Sequence, residues 1–140
     1  MPSLAEDNLD SICKQTRQLD NSIRFAAIAN NLGSLVATAY RSGLTPLMDK
    51  HETSHYAIQA VLRAATREDF ESKIGRMEYS IGKYERLIRA TIPIKLSSSK
   101  EDDETKSYYL VLSFDLNSNV MDIIENKVLP FIDKNKGRKL

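Results

Sequence analysis

Cysteine is almost absent from these 140 residues: Cys13 stands alone, which excludes an internal disulfide and a cysteine-rich zinc site. A buried structural thiol in a reducing cytoplasm is the expected setting. Tryptophan is missing, and with only four prolines and five glycines the chain has neither collagen-like nor low-complexity character. No apolar run approaches the ~18–20 residues that a membrane span needs. The start, Met-Pro-Ser-Leu-Ala-Glu-Asp, is acidic and without an apolar stretch, so no secretory signal is expected. Charge of one sign is also lacking. With 20 basic and 19 acidic residues the formal net charge is +1, and no global field favours nucleic acid, a membrane surface or an acidic substrate. Repeats and interdomain linkers are absent as well. One domain over residues 1–133, followed by a basic tail over 134–140, accommodates the chain.

What is present is a clear order of periodic segments. Leu9, Ile12, Cys13 and Thr16 share one face of a first helix, expected over Leu4 to Leu19. Ile23 to Asn30 and Ser34 to Tyr40 read as strands. Between them Asn30-Asn31-Leu32-Gly33 supplies residues that tolerate positive φ, as a tight hairpin requires. Small residues on these strands, Ala26, Ala27, Ala37 and Ala39, leave room above the sheet for a helix or a ligand. Thr45-Pro46 has the form of a helix start, and Gly75 that of a helix end. A long helix is therefore expected from Pro46 to Ile74, bent near Thr66, with Ile58, Val61, Leu62, Ala65, Phe70 and Ile74 facing the core.

Arg76 to Gly82 alternates as a strand. Leu87 to Leu96 should place Ile88, Ala90, Ile92, Ile94 and Leu96 inward and Arg89, Thr91 and Lys95 outward. Pro93 marks an edge or a bulge there. The polar run Ser97 to Lys106 reads as a hairpin loop. Tyr108 to Phe114, Val111 included, is almost continuously apolar, the pattern of a central strand covered on both faces. A last helix starts near Asn117-Ser118, buries Val120, Ile123, Ile124, Val128 and Phe131, and bends at Pro130.

The order α-β-β-α-β-β-β-α implies an α+β domain with a five-stranded antiparallel sheet, a long crossover helix and two terminal helices. An opening hairpin at Asn30–Gly33, a crossover helix, a three-strand meander and a closing helix together resemble the profilin-like group containing Roadblock/LC7 and longin domains. Locally, Lys73-Ile74-Gly75, Tyr84-Glu85-Arg86, Ile92-Pro93-Ile94 and Ile23-Arg24-Phe25-Ala26 resemble a family of small archaeal proteins with no assigned reaction. The resemblance implies a cytoplasmic, non-enzymatic interaction module without a cofactor. It also implies homodimerisation through the long helix and the strand carrying Arg76, Glu78 and Ser80, and a small GTPase or other signalling protein as partner.

Two other function classes compete. A PAS- or GAF-like sensor would hold a small molecule between helix and sheet, over the alanines, and needs an apolar cavity of several hundred Å3. A zinc metallopeptidase would use His51-Glu52-Thr53-Ser54-His55, in which two imidazoles at i and i+4 bind zinc and Glu52 takes a proton from the bound water. A solvated first helical turn explains the same five residues. Asp49-Lys50 precedes them, no third ligand is marked among Glu68, Glu71 and Glu78, and the chain is short for a substrate cleft. Lys73, Glu85, Arg86 and Arg89 form a further candidate, an anion site, against the reading of a solvated charged face. Lys134, Lys136, Arg138 and Lys139 read as a solubilising end, since no aromatics are interleaved with them. Tyr108 and Tyr109 read as sheet packing rather than a base-stacking platform.

Overall fold

A computed structural model describes residues 4–97 and 105–136. The first helix, α1 (Leu4–Arg17), buries Leu9, Ile12, Cys13 and Thr16, the expected face. Thr16 Oγ1 donates to the Ile12 carbonyl at 2.7 Å, so the one hydroxyl on that face is satisfied within the helix. Cys13 Sγ donates to the Ala26 carbonyl at 3.2 Å, and burial pushes its thiol up to about 12. A thiol so rarely ionised is inert as a nucleophile.

Strands β1 (Ile23–Asn30) and β2 (Leu35–Tyr40) form the opening hairpin. Asn30 Oδ1 accepts from the amides of Leu32 and Ser34, and Gly33 adopts φ +86°. The asparagine side chain thus adds to the backbone turn bond from the Gly33 amide to the Asn30 carbonyl, 3.0 Å long, as its placement before the turn suggests. Strands β3 (Ser80–Lys83), β4 (Ile88–Ser97) and β5 (Thr105–Phe114) complete an antiparallel sheet of order β2-β1-β5-β4-β3. Strand β5 is central, as its apolar run predicts, and every residue from Tyr108 to Phe114 is buried.

The two faces differ in what covers them. Ile88, Ala90, Ile92, Ile94, Leu96, Leu110 and Leu112 join Ile28, α1 and the C-terminal helix in the main core. That last helix comprises α4 (Val120–Ile123), a π-helical stretch (Ile124–Val128) and α5 (Leu129–Lys136). Pro130 has no amide hydrogen for a normal α-helical bond, and the wide π turn immediately before it absorbs the mismatch. Residues 137–140 of the basic tail, with Arg138 and Lys139, lie outside the described part, as do residues 98–104 of the polar loop.

The opposite face carries Ala27, Ala29, Tyr109 and Val111, which pack against helix α2 (Lys50–Arg67). Terminal helices and crossover helix therefore lie on opposite sides of the sheet. Thr91 shares the α2 side and is buried rather than solvent-facing, because that side is covered too. At the end of the sheet Asp115 accepts from Arg24 (3.2 Å) and Arg41 (2.6 Å), which join the ends of β1, β2 and β5. These guanidiniums, Arg41 foremost, hold the Asp115 carboxyl below its ordinary range. Asp20 is held down to about 2, first by Lys127 Nζ at 2.7 Å and then by the hydroxyl and amide of Ser22.

For both carboxyls the folded-state pKa is the lower one. Their contribution is complete above the unfolded value near 3.8 and is lost as pH falls through the lower folded value, which for Asp20 is about 2. The melting temperature should therefore decline between about pH 4 and pH 2. Thermal melts of Asp20→Asn and Asp115→Asn should show a shallower decline. A wild-type slope in both variants would remove these two groups as its cause.

Candidate interaction surface

Helix α2 starts later than the Thr45-Pro46 signal suggests. Asp49 is the cap: its Oδ1 accepts from the Glu52 amide at 2.8 Å, and Glu52 Oε1 accepts from the Asp49 amide at 3.1 Å. This reciprocal box decides the start, because Thr45 has Met48, not a carboxylate, three residues on. Glu52 is thus engaged as a capping acceptor. His51 and His55 are exposed on the following turn, and His55 Nε2 lies 3.2 Å from Gln59 Nε2. Among the described residues no three His, Cys, Asp or Glu side chains gather as a metal site would require. A His51→Ala, His55→Ala double variant should melt as the wild type does. Chelation should leave both unchanged, since a natively bound metal would stabilise by mass action. About one zinc per purified chain would overturn this expectation.

The buried face of α2 is also displaced from the one its large residues suggest. Ala57, Ala60, Val61 and Ala64 face the sheet, over Ala27 and Ala29. Small residues on both sides bring the helix close to the strands, so the alanines serve helix packing. One cavity between α2 and the sheet, bounded by Phe25, Leu35, Tyr56 and Val111, measures about 40 Å3, and a second at the far end of α2, beside Ala64, Met77 and Tyr109, about 210 Å3. A drug-sized ligand needs roughly 300 Å3 or more.

Consequently Ile58 (46% exposed) and Leu62 (61%) point away from the sheet, contrary to the sequence expectation, and Ala65 is exposed with them. The row continues past a 3-10 turn (Glu68–Phe70) and α3 (Glu71–Ile74) with Phe70 (62%) and Ile74 (83%). Thr66 makes no fresh cap there. Tyr109 instead donates to Glu68 Oε1 at 3.0 Å and ties this end of the helix to β5. Gly75 ends the helix at φ +88°, which places it among conformations that favour glycine.

Strand β3 forms one open edge of the sheet. Strand β3 is shorter than the alternation from Arg76 to Gly82 predicts: it spans Ser80–Lys83 and pairs only with Ile88–Thr91. An extension before Ser80 would have to run alongside Pro93, which has no amide hydrogen to donate. Arg76 and Glu78 are accordingly exposed outside the strand, whereas Ser80 begins it. Tyr79 donates to Glu125 Oε1 at 2.7 Å and anchors this segment to the C-terminal helix.

At the other end of β3, an open groove of about 530 Å3 lies between α2 and the β3–β4 turn. Arg63, Arg86 and Arg89 line it with Tyr56 and Tyr84, and Glu85 is its single carboxylate. The Arg89 guanidinium lies 3.7 Å from the Tyr56 ring centroid and donates to Met48 Sδ at 3.3 Å. Lys73, grouped with these residues by sequence, sits instead on α3 and takes no part in the groove. Arg63 and Tyr56 went unnoticed in the sequence. Their spacing of seven on one helix was the available signal.

No helix among the described residues is long and apolar enough to cross a membrane. Compared by sequence, the chain matches no family profile and no curated protein. Solved structures do match. The gliding protein MglB of Thermus thermophilus superposes with a TM-score of 0.66 at 14% identity, over 98% of this chain and 89% of that one. MglB of Myxococcus xanthus gives 0.67 at 12% identity, over 96% and 89%. A Roadblock/LC7 domain from Streptomyces avermitilis gives 0.62 at 8% identity, over 90% and 92%. Likeness over nearly the whole length at such low identity is a likeness of fold. The chain is a mixed α/β domain with the Roadblock/LC7-like fold.

Proposed function

We propose that this protein is a non-enzymatic, cytoplasmic regulatory scaffold that acts as a homodimer. Its partner is a small GTPase or another signalling protein. The observation that carries this reading is the exposure of four large apolar side chains, Ile58, Leu62, Phe70 and Ile74, along α2, the 3-10 turn and α3. Exposed apolar surface of that kind marks an interface. Strand β3 adds an open sheet edge, which invites a second strand. A second copy supplies a partner for each surface, α2 for α2 and β3 for β3, with Arg76, Glu78 and Ser80 at the strand seam.

The likeness to MglB supports the reading, and one similar structure is described as MglB with a tetrameric arrangement. The kinship with small archaeal proteins suggested by the sequence motifs fits the same picture.

Light scattering of the purified chain should give twice the monomer mass. Leu62→Asp should reduce it to the monomer while the circular dichroism spectrum stays native, because Leu62 makes no core contact to lose. A wild-type chain that remains monomeric at high concentration would refute the dimer. For the partner, affinity of the purified dimer for a small GTPase should differ between the GDP- and GTP-loaded forms. Equal or undetectable binding of both forms would refute that assignment.

A further inference from the structure

The groove between α2 and the β3–β4 turn holds positive charge that no described carboxylate pairs. Arg63, Arg86 and Arg89 line it, with Glu85 as the one acid. None of the three guanidiniums belongs to the ion pairs among the described residues, whose cations are Arg24, Arg41 and Lys127. For Arg63 and Arg86 that is ordinary, because both are exposed and water screens them. Arg89 is different. It is half-buried, and its acceptor is the thioether of Met48, 3.3 Å from Nη2. A thioether accepts weakly and carries no charge. A guanidinium withdrawn from water in this way loses hydration for little return, and an anion is what would compensate it.

The same residues fix where that anion would sit. The guanidinium carbons of Arg89 and Arg63 lie 3.7 and 5.4 Å from the centroid of one ring, Tyr56, so they stand no more than about 9 Å apart. Stacking takes up the flat face of a guanidinium and leaves its N–H edge free to donate. Like charges that close repel each other, and a compact polyanion relieves both at once. The rest of the lining is apolar or aromatic. Leu47 and Tyr84 stand 53% and 51% exposed there, beside the buried Leu87. A ligand for this groove therefore joins several negative charges to a flat apolar part. The volume, about 530 Å3, falls in the range of small-molecule sites, ~300–1,000 Å3.

We infer that this groove binds a nucleoside polyphosphate, its phosphates among Arg63, Arg86 and Arg89 and its base against Tyr84. Stacking on a tyrosine accepts any base, because each has a π-face. The inference goes beyond the scaffold reading and does not need the dimer. Tyr56, Gln59 and Arg63 follow at i, i+3 and i+7 on α2, a different stripe of the helix from Ile58 and Leu62.

The test titrates the full chain calorimetrically, in magnesium-free buffer at low salt, with adenosine triphosphate, guanosine triphosphate and inorganic triphosphate. Both nucleotides should bind once per chain, and more tightly than inorganic triphosphate. Arg63→Gln with Arg86→Gln, at two exposed positions, should weaken them about tenfold or more while the melt stays that of the wild type. Glu85→Gln should tighten them, because it removes the one like charge, and a gain of affinity cannot come from misfolding. Tyr84→Ala should weaken both nucleotides about tenfold and leave inorganic triphosphate unchanged. Equal affinity for inorganic triphosphate, with Tyr84→Ala silent, would overturn the nucleoside assignment. Nucleotide binding indifferent to the paired arginine variant would overturn the site. No saturable binding of either nucleotide at millimolar concentration would overturn the proposal outright, even where an acidic peptide or phosphatidylserine vesicles bind through the same arginines. Light scattering decides the dimer separately, so the two readings fail independently.

Discussion

Leu110→Asp should yield no folded protein at neutral pH. Leu110 is fully buried in the central strand, paired with Ile28 on one side and Ile92 on the other. Its side chain enters the core shared by α1 and the C-terminal helix, where the buried Thr16 and Asn135 already bond to carbonyls of their own helices and the other buried members are apolar but for the Cys13 thiol and the Tyr108 phenol. An aspartate there loses the ~2–3 kcal/mol of a buried leucine and adds several kcal/mol for an unpaired carboxylate. Together these fall within the ~5–15 kcal/mol that a domain of this kind has to lose. The measurement is the soluble fraction on expression and the cooperativity of the melt. Leu110→Ala, at about 2–5 kcal/mol, should remain folded and calibrates the difference. The neighbouring Val111→Asp should be milder, although Val111 is just as central. It lies on the α2 face, where Arg89, which pairs with Ser113 two residues along, borders the same small cavity and can answer the charge. A cooperative, wild-type-like melt for Leu110→Asp would show that the strand's faces are assigned wrongly.

Why one face of the chain was legible in advance and the other was not follows from the same residues. Strand β4 announces itself because its inward positions are apolar and mostly β-branched at a period of two, as in Ile88, Ile92 and Ile94, and β5 because its apolar run is nearly continuous. The face of α1 is legible for the same reason at a period of 3.6. Helix α2 defeats the rule. Periodicity detects a row of large apolar residues, but it cannot say whether that row meets the chain's own sheet or another molecule. Ile58, Leu62, Phe70 and Ile74 form the conspicuous row, and the sheet instead takes Ala57, Ala60 and Ala64. Only the alanines of β1, Ala27 and Ala29, hinted that the facing helix would bring small residues. The helix start was misplaced for a related reason. Thr45-Pro46 has the right residue types, but a cap is decided by what sits three residues on, and Asp49 with Glu52 completes the box. Arg86 and Arg89 were visible as a charged pair, whereas the groove they share with Arg63 and Tyr56 depends on packing between distant segments.

Gly33→Ala should lower the melting temperature by roughly 10 °C, far beyond what an exposed hairpin turn ordinarily loses, at ~3–4 °C per kcal/mol for a chain of this size. Two effects act together. Gly33 holds φ +86°, where a side chain costs about 1–2 kcal/mol. An added Cβ would also lie 2.7 Å from the Cα of Ile58, which is helix backbone and cannot swing aside as a side-chain tip could. To relieve that contact α2 must rise from the sheet, and its seat on Ala27 and Ala29 is close because Ala57, Ala60 and Ala64 are small. Lifting it forfeits dispersion along the whole interface. Gly43 separates the two effects. It has φ +77° with nothing within 4 Å of its added Cβ, so Gly43→Ala should lose only the conformational part, a decrease of about 3–8 °C. On the proposed dimer, the Gly33 variant should also pair less tightly, because the contact that strains it sets the height of Ile58 above the sheet. Equal shifts for the two glycines would mean that the hairpin does not support the helix. A full-sized loss of stability with dimer affinity unchanged would detach the height of α2 from pairing.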